Sequence, residues 1–151
     1  MWLHALEAIA PIANHPTRVF PGVINELGRR LAVKPALLSD RETLTYVGLA
    51  ARMNRYSRWA LAEGIQRGDA VCLLMSNRPE FVAIWLGIVQ VGGVVALLNT
   101  NLTGAALAHC IEVAAPRHII VAAELAEAFA SAAPLLTRPA AVWRHGEAAL
   151  A

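Results

Sequence analysis

The side chains able to do chemistry in this sequence are few and scattered. It holds two cysteines, five histidines and eleven acidic residues. His109 and Cys110 adjoin on a helical stretch, so they point about 100° apart and cannot easily share one ion. His118 opens one apolar run and Cys72 sits inside another, so no metal site is expected. Cys110 reads as a small buried hydrophobe. Asp40 and Glu42 belong to a polar turn, where solvated charge is ordinary, and no other carboxylates pair for acid–base work. Ser76 follows an apolar run, where a nucleophile can sit, but it lacks flanking glycines and a placed base and reads as a helix-entry residue. Lys34 is the only lysine among 13 basic residues and has no glycine loop before it. Neither GxGxxG nor GxxxxGK[ST] occurs. No catalytic residue is assigned on these grounds.

What survives is positional. In an open parallel sheet, ligands bind beyond the carboxyl ends of the strands. Ser76, Asn77 and Arg78 follow one strand-like run, and Asn99, Thr100 and Asn101 follow the next. These polar groups could line a cleft. Equally, Asn77 and Thr103 could serve only as helix caps, with the asparagines satisfying turns.

The elements that would position them follow from periodicity. Phe20, Val23, Ile24, Leu27 and Leu31 keep a helical period, predicting a helix over about residues 18–32 that Lys34-Pro35 ends. Ala36–Ser39 and Thr43–Tyr46 predict a hairpin around Asp40-Arg41-Glu42. Thr45 caps a long helix with Tyr46, Leu49, Met53, Tyr56 and Ala60 on one face, and Gly64 stops it. Arg52, Arg55 and Arg58 lie on another stripe and read as a solvated face. Ala70–Met75 is a strand, and Pro79 opens a helix to about Val91 with Glu80 at its positive end. Val94–Leu98 is a strand, Thr103 caps a helix that stops before Pro116, and His118–Ala122 is a strand. Glu124–Ala133 is an alanine-rich helix, and Ala140–Trp143 starts one more strand with no helix after it. The order predicts an α/β fold, a mostly parallel sheet covered by helices on both faces. It also predicts an incomplete domain, with residues 1–34 as a leading helical segment and 35–151 as a partial α/β subdomain.

Composition narrows the class. The chain has 151 residues, 57% hydrophobic and 16% charged, which excludes general disorder. A net charge of +2 without a dense basic run excludes a nucleic-acid surface. Two cysteines fit a reducing compartment, so a cytoplasmic location is expected. Phe81–Leu98 is long and apolar enough to raise a membrane span, but Gly92-Gly93 splits it into a buried helix, a turn and a buried strand. Met1–Asn14 lacks a basic leader. Its Trp2, Leu6, Ile9 and Ala13 recur at helical spacing, as a short packed helix or a membrane-surface contact.

The segments PALLSDRETLTY, GIQRGDAVCLLMSNRPEF and WLGIVQVGGVVALLNTNLTGAAL, in this order, resemble adenylate-forming acyl-CoA synthetases. ALLNTNLTGAALAHC is most similar to the fatty acid transport protein branch, the long-chain and very-long-chain acyl-CoA synthetases. The resemblance covers about Pro35 to Leu125 and implies the N-terminal subdomain of the adenylate-forming fold. It implies a parent enzyme that joins a fatty acid to ATP with magnesium, then passes the acyl group to coenzyme A. The family's glycine-rich phosphate loop, aromatic-Gly-x-Thr-Glu motif, ribose-binding aspartate and C-terminal lysine are not in this sequence. The fragment alone is therefore expected to bind no cofactor and to act as scaffold and cleft wall. Some relatives carry an arginine near the coenzyme A nucleotide where this chain has Asn101; the departure removes that charge, and Asn101 stands as the one candidate near that approach. Gly48 and Ala106 stand where relatives often complete capping boxes with glutamate. The alternative is a freestanding, non-catalytic α/β module that binds a lipid or a protein. Self-association through surface that missing neighbours would cover is expected, as is peripheral membrane contact of the parent.

Overall fold

A computed structural model describes residues 2–3, 6–7 and 19–146. The reading of Met1–Asn14 as one helix lies mostly outside them. Helix α1 (Phe20–Arg30) leads into a small antiparallel sheet, β1 (Pro35–Leu38) with β2 (Thr43–Thr45). The turn between them is closed by Ser39, whose hydroxyl accepts from Glu42 N–H at 3.1 Å and donates to Glu42 O at 3.0 Å. Helix α2 (Tyr46–Ala62) follows directly. Thr45 caps it as expected, its hydroxyl accepting from Gly48 N–H at 3.2 Å. Then come β3 (Ala70–Leu74), α3 (Pro79–Gln90), β4 (Val94–Leu97), α4 (Gly104–Ala114) and β5 (His118–Ala122). A 3₁₀ turn leads to α5 (Ala126–Ala132), a second 3₁₀ turn follows, and β6 (Ala141–His145) closes the series.

The four later strands form one parallel sheet in the order β4-β3-β5-β6. Strand alternation sorts its side chains onto two faces. Val71, Leu73, Met75, Ile120 and Ala122 pack against Ile24, Met53, Ala60 and Ile84 of α1, α2 and α3. Cys72, Leu74, Ile119 and Val121 pack against Leu107, Ile111 and Ala132 of α4 and α5. Each fully buried aliphatic side chain contributes about 1.5–3 kcal/mol, so both layers are needed to hold this sheet.

Three helices meet on the first face. Gly87 of α3 lets α2 come close: a Cβ there would sit 2.6 Å from Tyr56 Cβ and 2.7 Å from Met53 O. Ser57 uses that proximity, donating its hydroxyl to Met53 O at 3.1 Å and Gly87 O at 2.9 Å. Three amides close a ring at the same junction. Asn25 donates to Gln90 at 3.2 Å, Gln90 to Asn54 at 2.9 Å and Asn54 to Asn25 at 3.3 Å. The ring takes one residue from each of α1, α2 and α3, so it registers all three helices.

Phe81–Leu98 is indeed a buried helix, a turn and a strand, with Gly92 at φ 92° turning the chain. Among the described residues, no helix is long and apolar enough to cross a membrane. Strand β4 departs from the expectation of full burial. It is one edge of the sheet, and Val94 and Leu97 are 55% and 44% exposed. An apolar run reports burial on average, but the strand order decides which strand lacks a neighbour.

Two cap assignments are corrected. Thr103 precedes α4 yet makes no side-chain cap bond. Ser131 of α5 instead accepts from Gly104 N–H at 2.8 Å, because α5 packs beside the start of α4. Asn77 does not cap α3: Arg78 occupies that position, extended and without a side-chain cap bond.

Candidate functional site

The chain leaves β3 through α3 towards β4, and leaves β5 through α5 towards β6, in opposite directions across the sheet. The carboxyl ends of β3 and β5 therefore flank the point where the topology reverses, and such a point opens a crevice. A cavity of about 420 Å³ lies there, lined by Ser39–Glu42, by Ser76–Pro79 and by Glu124. A second, of about 490 Å³, is lined by Met75, Ser76, Asn77, Phe81 and Leu97–Thr100. Ser76 and Asn77 border both. Of the strand-end residues, Arg78 borders only the first cavity and Asn99 and Thr100 only the second, with Ser76 and Asn77 between them. Asn101 is exposed on the turn just beyond, its N–H donating to Asn99 Oδ1 at 3.0 Å. It does not line either cavity.

Glu124 and the Ser39–Glu42 turn were not legible as cleft residues. Arg78 reaches Glu124 at 2.8 Å and ties the β3 end to the β5 end. Only the strand order makes those two loops neighbours.

Behind the cleft runs a polar network that corrects two more readings. Arg52 is not part of a solvated face, whereas Arg55 and Arg58 are exposed. Its guanidinium takes Glu42 in a two-pronged bond at 2.9 and 2.6 Å, and Glu80 Oε2 at 2.7 Å. Glu42 is accordingly not a free turn carboxylate, while Asp40 is exposed. The bond to Arg52 holds the Glu42 carboxyl below the usual carboxylate range and holds the Arg52 guanidinium firmly charged. Tyr56 donates its hydroxyl to Glu80 Oε1, and His145 Nε2 lies 3.0 Å from the same hydroxyl oxygen. Burial, then the bond to Glu80, pushes the Tyr56 phenol well above its ordinary value. The chain Glu42–Arg52–Glu80–Tyr56–His145 thereby joins the hairpin, α2, the first turn of α3 and the end of β6. A two-carboxylate clamp on one arginine fixes the wall of the cleft.

The cleft offers hydroxyls, amides and one paired guanidinium. Among the described residues, no base is hydrogen-bonded to the Ser76 hydroxyl, and no three His, Cys, Asp or Glu side chains gather as metal ligands. Hydroxyl, amide and guanidinium groups of this kind can hold and orient a polar ligand. His109 is exposed, Cys110 is half-buried on the α4 face, and Cys72 is fully buried within β3, its thiol pushed up to about 12 by burial.

A parallel sheet with a polar cleft at its reversal point defines a ligand-binding α/β domain. Its family follows from comparison with known proteins. The model for AMP-binding enzymes matches residues 26–148, and the chain belongs to that family. Over 127 residues it is 36% identical to long-chain fatty acid transport protein 2 of Rattus norvegicus, covering 83% of this chain and 20% of that protein. Over 120 residues it is 35% identical to a 3-hydroxybenzoate–CoA ligase of Aromatoleum, covering 80% of this chain and 23% of that protein. In fold it is similar to the N-terminal subdomain of NpsA from Klebsiella oxytoca, with a TM-score of 0.71, 19% identity and coverage of 83% of this chain and 30% of that one. The chain spans about a fifth of the length of the curated relatives it matches.

Proposed function

We propose that this chain is the N-terminal scaffold of an adenylate-forming fatty-acyl-CoA synthetase and supplies one wall of its cleft. The carrying observation is the cleft itself: holding groups from Ser76–Arg78 stand at the reversal point of a family sheet, and Asn99–Thr100 line the adjoining cavity at the β3–β4 end. In this reading the whole protein takes ATP, magnesium, a fatty acid and coenzyme A. ATP and the carboxylic acid give an acyl-adenylate and pyrophosphate, and the thiol of coenzyme A then displaces AMP. The chain's own residues orient and shield; Asn101 lies on the coenzyme A approach. Residues 1–34 act as a leading segment and residues 35–151 as the partial subdomain. In this reading the parent works in the cytoplasm and touches membrane peripherally, and the exposure of Trp2, Leu3 and Leu6 supports such a contact. Apolar surface near β6, including Val142 and Leu135, supports self-association.

An antibody raised to this chain tests the reading in the source cells. A band about five times 16.2 kDa is expected from the fraction of relatives covered. A lone band at 16.2 kDa would overturn it and favour a freestanding lipid- or protein-binding module. Acyl-CoA formation from palmitate, ATP, magnesium and coenzyme A by the purified chain would refute the scaffold role.

A further inference from the structure

Strand β6 is the sheet edge opposite β4 and, among the described residues, pairs only with β5. Among the side-chain contacts that fasten it, two hydrogen bonds involve a histidine. Trp143 donates its indole N–H to His118 Nδ1 at 3.1 Å. His145, at the other end of β6, places Nε2 at 3.0 Å from the Tyr56 hydroxyl oxygen.

Donor counting assigns both rings. His118 Nδ1 accepts from Trp143, so its hydrogen is on Nε2. Tyr56 has one O–H and gives it to Glu80. His145 Nε2 must therefore donate to the Tyr56 oxygen, which leaves Nδ1 bare. That nitrogen is buried with no hydrogen-bond partner. Both rings are neutral in this arrangement. A proton added to His118 lands on Nδ1, against the indole N–H it was accepting. A proton added to His145 lands on a buried nitrogen with no acceptor.

We propose that β6 is a proton-released strand: it docks only while His118 and His145 are both neutral, and mild acid loosens it and uncovers the edge of β5. The slot of about 310 Å³ between β6 and α5, lined by Val121, Phe129, Pro134 and Val142, opens with it.

The surrounding charges do not rescue the protonated rings. His145 faces Tyr56 from α2, Arg78 and Glu80 from the start of α3, and Glu124 after β5, with Arg52 one step beyond on Glu80. Glu80 attracts a proton, but its Oε1 is engaged by Tyr56 and lies 3.9 Å from Nε2, the nitrogen already protonated. His118 faces Arg117, which repels the charge, and Glu63 and Asp69, which attract it. Asp69 is already bound to Arg117 at 2.7 Å and to Gln66 N–H at 2.8 Å. Burial leads in lowering the proton affinity of both rings. The sign follows. The folded values lie below the ordinary value of about 6.5, so the stabilisation is whole above that pH and drains away as pH falls through the lower folded values.

Hydrogen exchange of the β6 amides in the 151-residue protein, corrected for the intrinsic rate, reads the opening constant. Between pH 7.5 and 5.5 it should rise up to about tenfold for each histidine, and so up to about a hundredfold. In H118Q/H145Q the glutamines keep an acceptor for Trp143 and a donor for Tyr56 but bind no proton, and the rise should vanish. An equal rise in wild type and variant overturns the proposal. Should the variant fail to dock β6 at pH 7.5, an NMR titration of the wild-type imidazoles decides. Both rings staying neutral below pH 6 supports the proposal, and either one titrating at or above about 6.5 refutes it.

Discussion

Replacing Gly87 by alanine asks whether the α2–α3 contact sets the stability of the first face. The new methyl would stand 2.6 Å from Tyr56 Cβ and 2.7 Å from Met53 O. Ordinary contact begins near 3.4 Å, so the helices must part by up to 0.8 Å. Neither obstacle can rotate aside, because a Cβ and a backbone oxygen are fixed by the helix. Overpacking of this kind costs about 3 kcal/mol at the upper end of its usual range. Parting the helices also strains the Ser57 bond to Gly87 O, adding about 1 kcal/mol. Alanine returns about 1 kcal/mol of helix propensity. The net loss is about 3 kcal/mol. With a urea slope of about 2 kcal/mol/M, the midpoint falls by about 1.5 M. Gly22→Ala in α1 is the control, since nothing lies within 4 Å of its added methyl. It should gain about 0.5–1 kcal/mol from propensity alone. Equilibrium urea unfolding by circular dichroism measures both. If Gly87→Ala unfolds within about 0.2 M of wild type, the close crossing does not carry the stability claimed for it.

Arg52→Gln should cost about 2 kcal/mol at neutral pH, because it leaves the half-buried Glu80 without its cationic partner and releases Glu42. Arg52 holds the Glu42 carboxyl below its unfolded value, so the stabilisation is present above about pH 4.3 and lost as pH falls through the folded value. Wild type should therefore lose more of its urea midpoint between pH 5 and pH 3 than Arg52→Gln does, and parallel losses would refute the clamp. In native protein one thiol should react with a maleimide within minutes and the other only on unfolding. Cys72 is fully buried with its thiol pushed up to about 12, whereas Cys110 is half-buried. Mass spectrometry that finds Cys72 labelled in the folded state would contradict its burial.

The elements of this fold were legible because short-range forces set them. Pro79 starts α3, Thr45 caps α2, Gly92 breaks the apolar run, and each acts through its own backbone or near neighbours. The α/β class followed from the alternation of those elements, and the family from ordered segments along the same stretch. The order of the strands was not legible, because every parallel strand here is an apolar run that any other could neighbour. That order puts β3 beside β5, makes β4 an edge, and brings Arg78 to Glu124 across 46 residues. It also turned a stripe of three arginines into two exposed side chains and one clamp, since Glu42 and Glu80 meet Arg52 only once the hairpin and α3 pack on α2. Local propensity wrote the list of elements and the polar residues at their ends. Long-range packing alone chose which ends share a cleft, because burial is blind to sequence distance.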